Sequence, residues 1–126
     1  MTTVIVSLGS NAPDREERMA GAMKWLATVI VGARFSCVYE TPEYSGRYLA
    51  YFNCVAEGMT ALDADTLNVM LKEYERSAGR TPESKLTGIV PIDIDIVEYG
   101  ERLLRPVEFE REYFAIGYRQ LRGKNV

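Results

Sequence analysis

The sequence predicts an α+β sandwich in which an antiparallel sheet carries its two main helices on one face. Three observations support this class. Segments such as Ile92-Asp93-Ile94-Asp95-Ile96 alternate apolar and polar residues, the period of a strand. Two longer segments repeat their apolar residues every three to four positions, the period of an amphipathic helix. Glycine- and proline-bearing breaks separate these segments and set their order along the chain.

Thr3 to Leu8 reads as the first strand, ending in the turn cluster Gly9-Ser10-Asn11. Asn11 is placed to cap the following helix, with Pro13, Asp14 and Glu16 in its first turn. Met19, Met23, Leu26 and Ile30 form the apolar stripe of that helix, and methionines at this spacing are core residues. Arg34 to Tyr39 reads as the second strand, Thr41 to Gly46 as a loop, and Tyr51 to Glu57 as the third strand. Asp63 caps a second helix with Leu67, Met70, Leu71 and Tyr74 on its apolar face, and Ala78-Gly79 closes it. A polar loop from Arg80 to Gly88 leads to the acidic strand. Tyr99-Gly100-Glu101 then turns the chain into a short Arg102 to Pro106 segment, and Phe109 to Leu121 reads as an amphipathic helix. The order β-α-β-β-α-β is that of the ferredoxin-like split βαβ arrangement, with both helices on one face of an antiparallel sheet.

Composition narrows the function. A chain of 126 residues is expected to form one domain over 1–126. A net charge of −3 supplies no broad basic surface, so nucleic acid and anionic membranes are not expected partners. No apolar run approaches the ~20 residues of a membrane span. Met1-Thr2-Thr3-Val4-Ile5-Val6 lacks the basic start of a signal peptide, so the cytoplasm is the expected location. Cys37 and Cys54 have no C-x-x-C spacing and are expected to be reduced and buried. The absence of histidine excludes His-ligated zinc and a Ser-His-Asp triad.

The acidic strand carries the chemistry. Residues i and i+2 of a strand share a face, so Asp93 and Asp95 project together while Ile92, Ile94 and Ile96 face the helices. Two adjacent carboxylates repel unless a cation lies between them, and Mg²⁺ suits such a pair of hard oxygen donors. A solvated outer face is the competing reading of the same alternation. By the same parity Tyr51 and Asn53 share a face, a ring and an amide able to receive a flat heterocycle. An exposed tyrosine and a strand-end asparagine would give the same pattern without any ligand.

Several of these segments together carry a resemblance. Ser7-Leu8-Gly9-Ser10-Asn11, then Tyr39-Glu40-Thr41-Pro42 leading to Tyr51-Phe52-Asn53, then Glu75 with Gly79-Arg80, and finally Pro91-Ile92-Asp93-Ile94-Asp95-Ile96 occur in this order. In these motifs, from residue 3 to about 100, the chain resembles 6-hydroxymethyl-7,8-dihydropterin pyrophosphokinase, a family of folate biosynthesis. The resemblance implies a ferredoxin-like fold and transfer of the β,γ-pyrophosphoryl group of ATP to the hydroxymethyl group of a reduced pterin, giving AMP. It implies that Asp93 and Asp95 bind two Mg²⁺ and, with Arg80, form the catalytic set. Thr41, Pro42, Tyr44, Tyr51 and Asn53 would then form the pterin pocket. Tyr113, in Arg111-Glu112-Tyr113, would stack on the pterin. Glu75, Arg80, Lys85 and Arg111 would contact the nucleotide.

Two segments depart from the family pattern. Thr87-Gly88-Ile89-Val90 stands where the family has Trp-Gly-Pro-Arg, so valine replaces a phosphate-binding arginine and Lys85 is the nearest cation in sequence. After the acidic strand, where the family has a Pro-His motif, Pro106-Val107-Glu108 offers a carboxylate instead. The expected partners are ATP and a reduced pterin, with the protein a monomer. Two other readings stay open: a family member that binds pterin or nucleotide without transfer, and an interaction module that meets a protein through its open sheet face. The latter predicts an apolar open face, which Asp93, Asp95 and Asn53 do not supply.

Overall fold

The computed structural model of the chain describes residues 1–81 and 87–123. Its central strand is β1 (Thr2–Ser10), where Val4 to Leu8 are all buried. α1 (Arg15–Val29), β2 (Val31–Phe35), β3 (Tyr39–Thr41) and β4 (Tyr51–Thr60) follow, then α2 (Ala64–Ser77) and β5 (Asp93–Tyr99). β6 (Arg102–Leu103), α3 (Pro106–Phe109) and α4 (Glu112–Arg122) complete the described chain. The sheet order is β2-β4-β1-β5-β6, with β3 also paired to β4 and all pairings antiparallel. This is the ferredoxin-like α+β sandwich that the element order predicts. None of the helices among the described residues is long and apolar enough to cross a membrane.

Strand parity divides the apolar residues into two cores. Val4, Val6 and Leu8 of β1 and Ile92, Ile94 and Ile96 face α1 and α2, meeting Met19, Leu26, Leu67 and Leu71. Trp25 of α1 stacks on Tyr74 of α2 with ring centroids 4.4 Å apart, joining the two helices. Ile5, Val55 and Val97 point to the opposite face, where Phe114 and Leu121 of α4 cover them. The amphipathic C-terminal segment therefore closes half of the face that lies away from α1 and α2. It does so as two helices, because Pro106 starts α3 and the chain turns again at Glu110-Arg111 before α4.

Three sequence expectations are corrected. The predicted strand Arg34 to Tyr39 is two short strands. Ser36 breaks it: its Oγ accepts the Val55 N–H (2.9 Å), and the pairing changes register between Phe35↔Ala56 and Tyr39↔Asn53. Cys37 lies in this break and is exposed, whereas Cys54 is buried with its thiol pushed up to about 11 by burial. Asn11 does not cap α1, whose N-cap is Asp14. Buried Asn11 instead accepts the Val90 N–H (2.6 Å) and donates to Gly88 O (3.0 Å), so it holds the segment entering the acidic strand. Asp63 does cap α2, accepting the Thr66 N–H at 2.7 Å.

α4 can close on the sheet because residue 117 has no side chain. A Cβ there would lie 2.6 Å from Val55 Cγ2 and 2.9 Å from both Ser36 Oγ and the Tyr39 hydroxyl. The Tyr39 hydroxyl accepts the Gly117 N–H (3.1 Å) and donates to Tyr113 O (2.5 Å), pinning the helix at this point. Burial raises the Tyr39 hydroxyl to about 12, so it stays a donor. In an exposed helix Gly→Ala stabilises by roughly 0.5–1 kcal/mol. Here Gly117→Ala should destabilise by about 1–3 kcal/mol through overpacking. A melting curve decides it: a higher Tm for Gly117→Ala would show that α4 does not dock in this way.

Candidate active site

The two predicted carboxylates lie next to the Gly9 end of β1. Gly9 is paired with Asn53 on one side and Asp93 on the other, and Ser7 with Val55 and Asp95. Strand parity puts Asn53, Gly9 and Asp93 in one row on the face away from α1 and α2. Because the middle residue has no side chain, the row is hollow. A Cβ at Gly9 would meet Asn53 Oδ1 at 3.4 Å and Tyr51 Cδ1 at 3.9 Å. Above the hollow is a cavity of about 270 Å³. Thr41, Tyr51 and Asn53 line one side, Asp93 the other, and Tyr44, Glu108 and Tyr113 the rim.

The polar groups of the cavity are held in place. The Asn53 amide donates to Thr41 Oγ1 at 2.7 Å, and both residues are buried. Tyr51 is half-buried, and its hydroxyl is shifted up by burial and by the negative charge of Asp93. The Tyr113 hydroxyl donates to Glu108 Oε1 at 2.9 Å, and burial with this bond holds it well above its usual value. Both hydroxyls therefore remain protonated donors at neutral pH. Glu108 also pairs with Arg105, whose Nη1 lies 3.7 Å from Asp95 Oδ1. The carboxylate at the departed Pro-His position is thus balanced by a neighbouring guanidinium.

Beyond Asp93 the site continues over the edge of β5. β6 pairs only with Glu98 and Tyr99, leaving the outer edge around Ile94 without a strand partner among the described residues. Side chains of α2 and its C-terminal turn supply the missing hydrogen bonds. Glu75 Oε2 accepts the Ile94 N–H (2.7 Å), Lys72 Nζ donates to Ile94 O (3.0 Å), and Arg80 Nη1 donates to Ile92 O (3.4 Å). The same groups form an ion cluster. Lys72 Nζ is 2.8 Å from Glu75 Oε2 and 2.9 Å from Asp95 Oδ1, while Arg80 Nη1 is 2.6 Å from Asp93 Oδ1 and 3.3 Å from Glu75 Oε1. Gly79, at φ +101°, ends α2 in the left-handed conformation that directs Arg80 toward Asp93.

The predicted residues are distributed as follows. Thr41, Tyr44, Tyr51, Asn53, Tyr113 and Asp93 meet at the cavity, while Asp95, Glu75 and Arg80 form the adjoining cluster. Pro42 is exposed and does not line the cavity. Arg111 is exposed at the N-cap of α4. Lys85 lies outside the described residues. Sequence reasoning passed over Lys72, Arg105 and Gly9. Lys72 had a local signal, its position three residues before Glu75 on one helix face. Arg105 had none, because only the fold brings it from the N-cap of α3 to Asp95.

One oxygen from each of Glu75, Asp93 and Asp95 lies within 4.8 Å of the others. Hard carboxylate donors at this separation fit Mg²⁺, provided that the cations now paired with them yield. A ferredoxin-like sandwich with a tyrosine-rimmed cavity beside a carboxylate strand defines a small-molecule-binding domain. The chain belongs to the 7,8-dihydro-6-hydroxymethylpterin-pyrophosphokinase family, whose model matches residues 5–122. It is 34% identical over 122 residues to a 2-amino-4-hydroxy-6-hydroxymethyldihydropteridine pyrophosphokinase of Methylorubrum extorquens, covering 89% of this chain and 76% of the relative. A protein of the same name from Aquifex aeolicus is 33% identical over 109 residues, covering 83% and 66%. The folate synthesis bifunctional protein of Arabidopsis thaliana is 31% identical over 100 residues, covering 78% of this chain. The chain spans 21% of that bifunctional protein and 20% of its Pisum sativum counterpart.

Asp95 is costly to keep charged. Burial raises its pKa, the adjacent Asp93 raises it further, and Lys72 offsets this only in part. Between the ordinary aspartate value and the raised one, the native state binds more protons at this group than the unfolded chain does. Stability from this group is complete below the ordinary aspartate value and declines as pH rises through the raised one. Asp95→Asn should therefore have a Tm equal to or above wild type at about pH 7, with the gap narrowing toward about pH 4. Thermal melts across that range test it, and a lower Tm for Asp95→Asn at neutral pH would contradict the account.

Proposed function

We propose that residues 1–126 form one domain, monomeric and cytoplasmic, that catalyses pyrophosphoryl transfer from ATP to 6-hydroxymethyl-7,8-dihydropterin. The observation that carries this reading is the hollow row Asn53–Gly9–Asp93, with polar and aromatic groups on one side and carboxylates on the other. The pterin ring would lie over Gly9 against Tyr51, its polar edge toward Asn53 and Thr41 and its hydroxymethyl group toward Asp93. Tyr44, 79% exposed on the loop after β3, and Tyr113 on α4 would cover it. In the transfer, the hydroxymethyl oxygen bonds to the β-phosphorus as the bond between that phosphorus and the α–β bridging oxygen breaks. AMP leaves, and the hydroxyl proton passes to solvent.

Asp93 and Asp95 would hold Mg²⁺. When bound, the metal neutralises the phosphate oxygens and aligns the attacking and leaving oxygens. This chemistry needs positioning more than a strong base, so a chain without histidine can perform it. Arg80 and Arg105 are the guanidiniums nearest the carboxylates and would face the triphosphate. Glu75 anchors Lys72, Arg80 and the Ile94 N–H, and would orient the nucleotide side of the site.

Val90 favours a second reading, in which the protein binds pterin or nucleotide without transfer, since valine offers no charge to phosphate. AMP formation from MgATP and 6-hydroxymethyl-7,8-dihydropterin separates the two. Turnover supports transfer, and binding of both ligands without AMP supports the second reading.

Asn53→Ala should lose about 1–3 kcal/mol of pterin affinity, because groups on the ring edge lose their partner. Calorimetry showing wild-type pterin affinity in Asn53→Ala would remove Asn53 from the pocket. Asp95→Asn should weaken binding of a non-hydrolysable ATP analogue in the presence of Mg²⁺ and leave it unchanged in its absence. Equal Mg²⁺-dependent affinity in both proteins would exclude Asp95 as a metal ligand.

A further inference from the structure

We propose that Lys72 is a resident counter-ion of the carboxylate cluster. Its ammonium holds the place that a divalent cation takes, so metal entry requires Lys72 to leave. The proposal rests on the reading of Asp93 and Asp95 as Mg²⁺ ligands.

An ammonium has three protons to donate, and all three of Lys72 are committed inside the cluster. They go to Glu75 Oε2 at 2.8 Å, Asp95 Oδ1 at 2.9 Å and Ile94 O at 3.0 Å, and Asp93 Oδ1 lies 3.9 Å away. Lys72 thus faces the same three carboxylates whose oxygens cluster within 4.8 Å. A divalent cation and an ammonium cannot share that space, since like charges a few ångströms apart repel strongly where solvent is scarce.

The partners differ in freedom to move. The side chains of Glu75 and Asp95 are only 6% and 5% exposed, and Glu75 is tied to the β5 backbone. Lys72 is 32% exposed at the end of a flexible four-carbon stem, so it can swing outward into water. Arg80 and Arg105, the other cations in the cluster, reach it from Asp93 and from Glu108 respectively. Neither is bonded to both Glu75 Oε2 and Asp95 as Lys72 is. Lys72 is therefore a positioning residue. It keeps the carboxylates together before metal binds, and it raises the metal concentration needed to fill the site.

The test uses Lys72→Met and Lys72→Gln, the latter retaining a donor for Ile94 O. Mg²⁺ affinity is measured by calorimetry with and without a non-hydrolysable ATP analogue, beside wild type and Asp95→Asn. Both Lys72 variants should bind Mg²⁺ at least about tenfold more tightly than wild type. Their melting temperatures without metal should fall, and Mg²⁺ should restore them by more than it raises that of wild type. Equal Mg²⁺ affinity in wild type and both variants overturns the role of Lys72 and leaves Asp93 and Asp95 as ligands. No Mg²⁺ binding by any of the proteins, analogue present, overturns the metal reading and this proposal together. Should neither variant fold, wild-type protein carrying ¹³Cε/¹⁵Nζ-labelled lysine provides the second measurement. The Lys72 resonance should move toward the free-lysine position on Mg²⁺ addition, and a resonance that does not move overturns the displacement.

Discussion

Around Ile94 the outer edge of β5 has no neighbouring strand among the described residues, and side chains of α2 and Arg80 take the place of one. Unpaired backbone groups at a sheet edge are costly when buried and hazardous when exposed. Glu75, Lys72 and Arg80 settle both problems, and in doing so they bring charges over the edge to Asp93 and Asp95. The hydrogen bonds that complete the sheet therefore also build the electrostatics of the site. Gly79 contributes by ending α2 where Arg80 can turn back to the strand.

The cavity follows from two glycines with opposite consequences. At Gly9 the absence of a side chain leaves a hollow between Asn53 and Asp93. At Gly117 the absence of a side chain lets α4 approach the sheet over Val55. The helix then covers Ile5, Val55 and Val97 but stops short of the hollow, and Tyr113 at its start becomes part of the rim. One face of the sheet is thus divided into a dry half under α4 and a polar half open to a ligand.

Much of this was legible in sequence because it depends on short-range periodicity. Alternation placed Ile92, Ile94 and Ile96 in the core and Asp93 with Asp95 opposite. Helical spacing identified Met19, Leu26, Leu67 and Leu71. The motif resemblance brought Thr41, Tyr51 and Asn53 together before the pocket was visible. Local reasoning failed where a polar side chain had both a nearby and a distant partner. Asn11 precedes a helix and could have capped it, yet it bonds to Gly88 and Val90, far along the chain. Ser36 interrupts a strand through a bond to Val55, which no local pattern encodes.

The sequence by itself determined the order of the main elements, the core under α1 and α2 and the side of the sheet on which the carboxylates lie, since each follows from the geometry of a few consecutive residues. Only the tertiary structure decided what surrounds those carboxylates. Lys72 and Arg80 reach them from α2 and its terminal turn, and Arg105 from the N-cap of α3. The physical reason is range: backbone periodicity acts over a few residues, whereas the field at Asp95 is the sum of charges that only chain folding brings within a few ångströms of it.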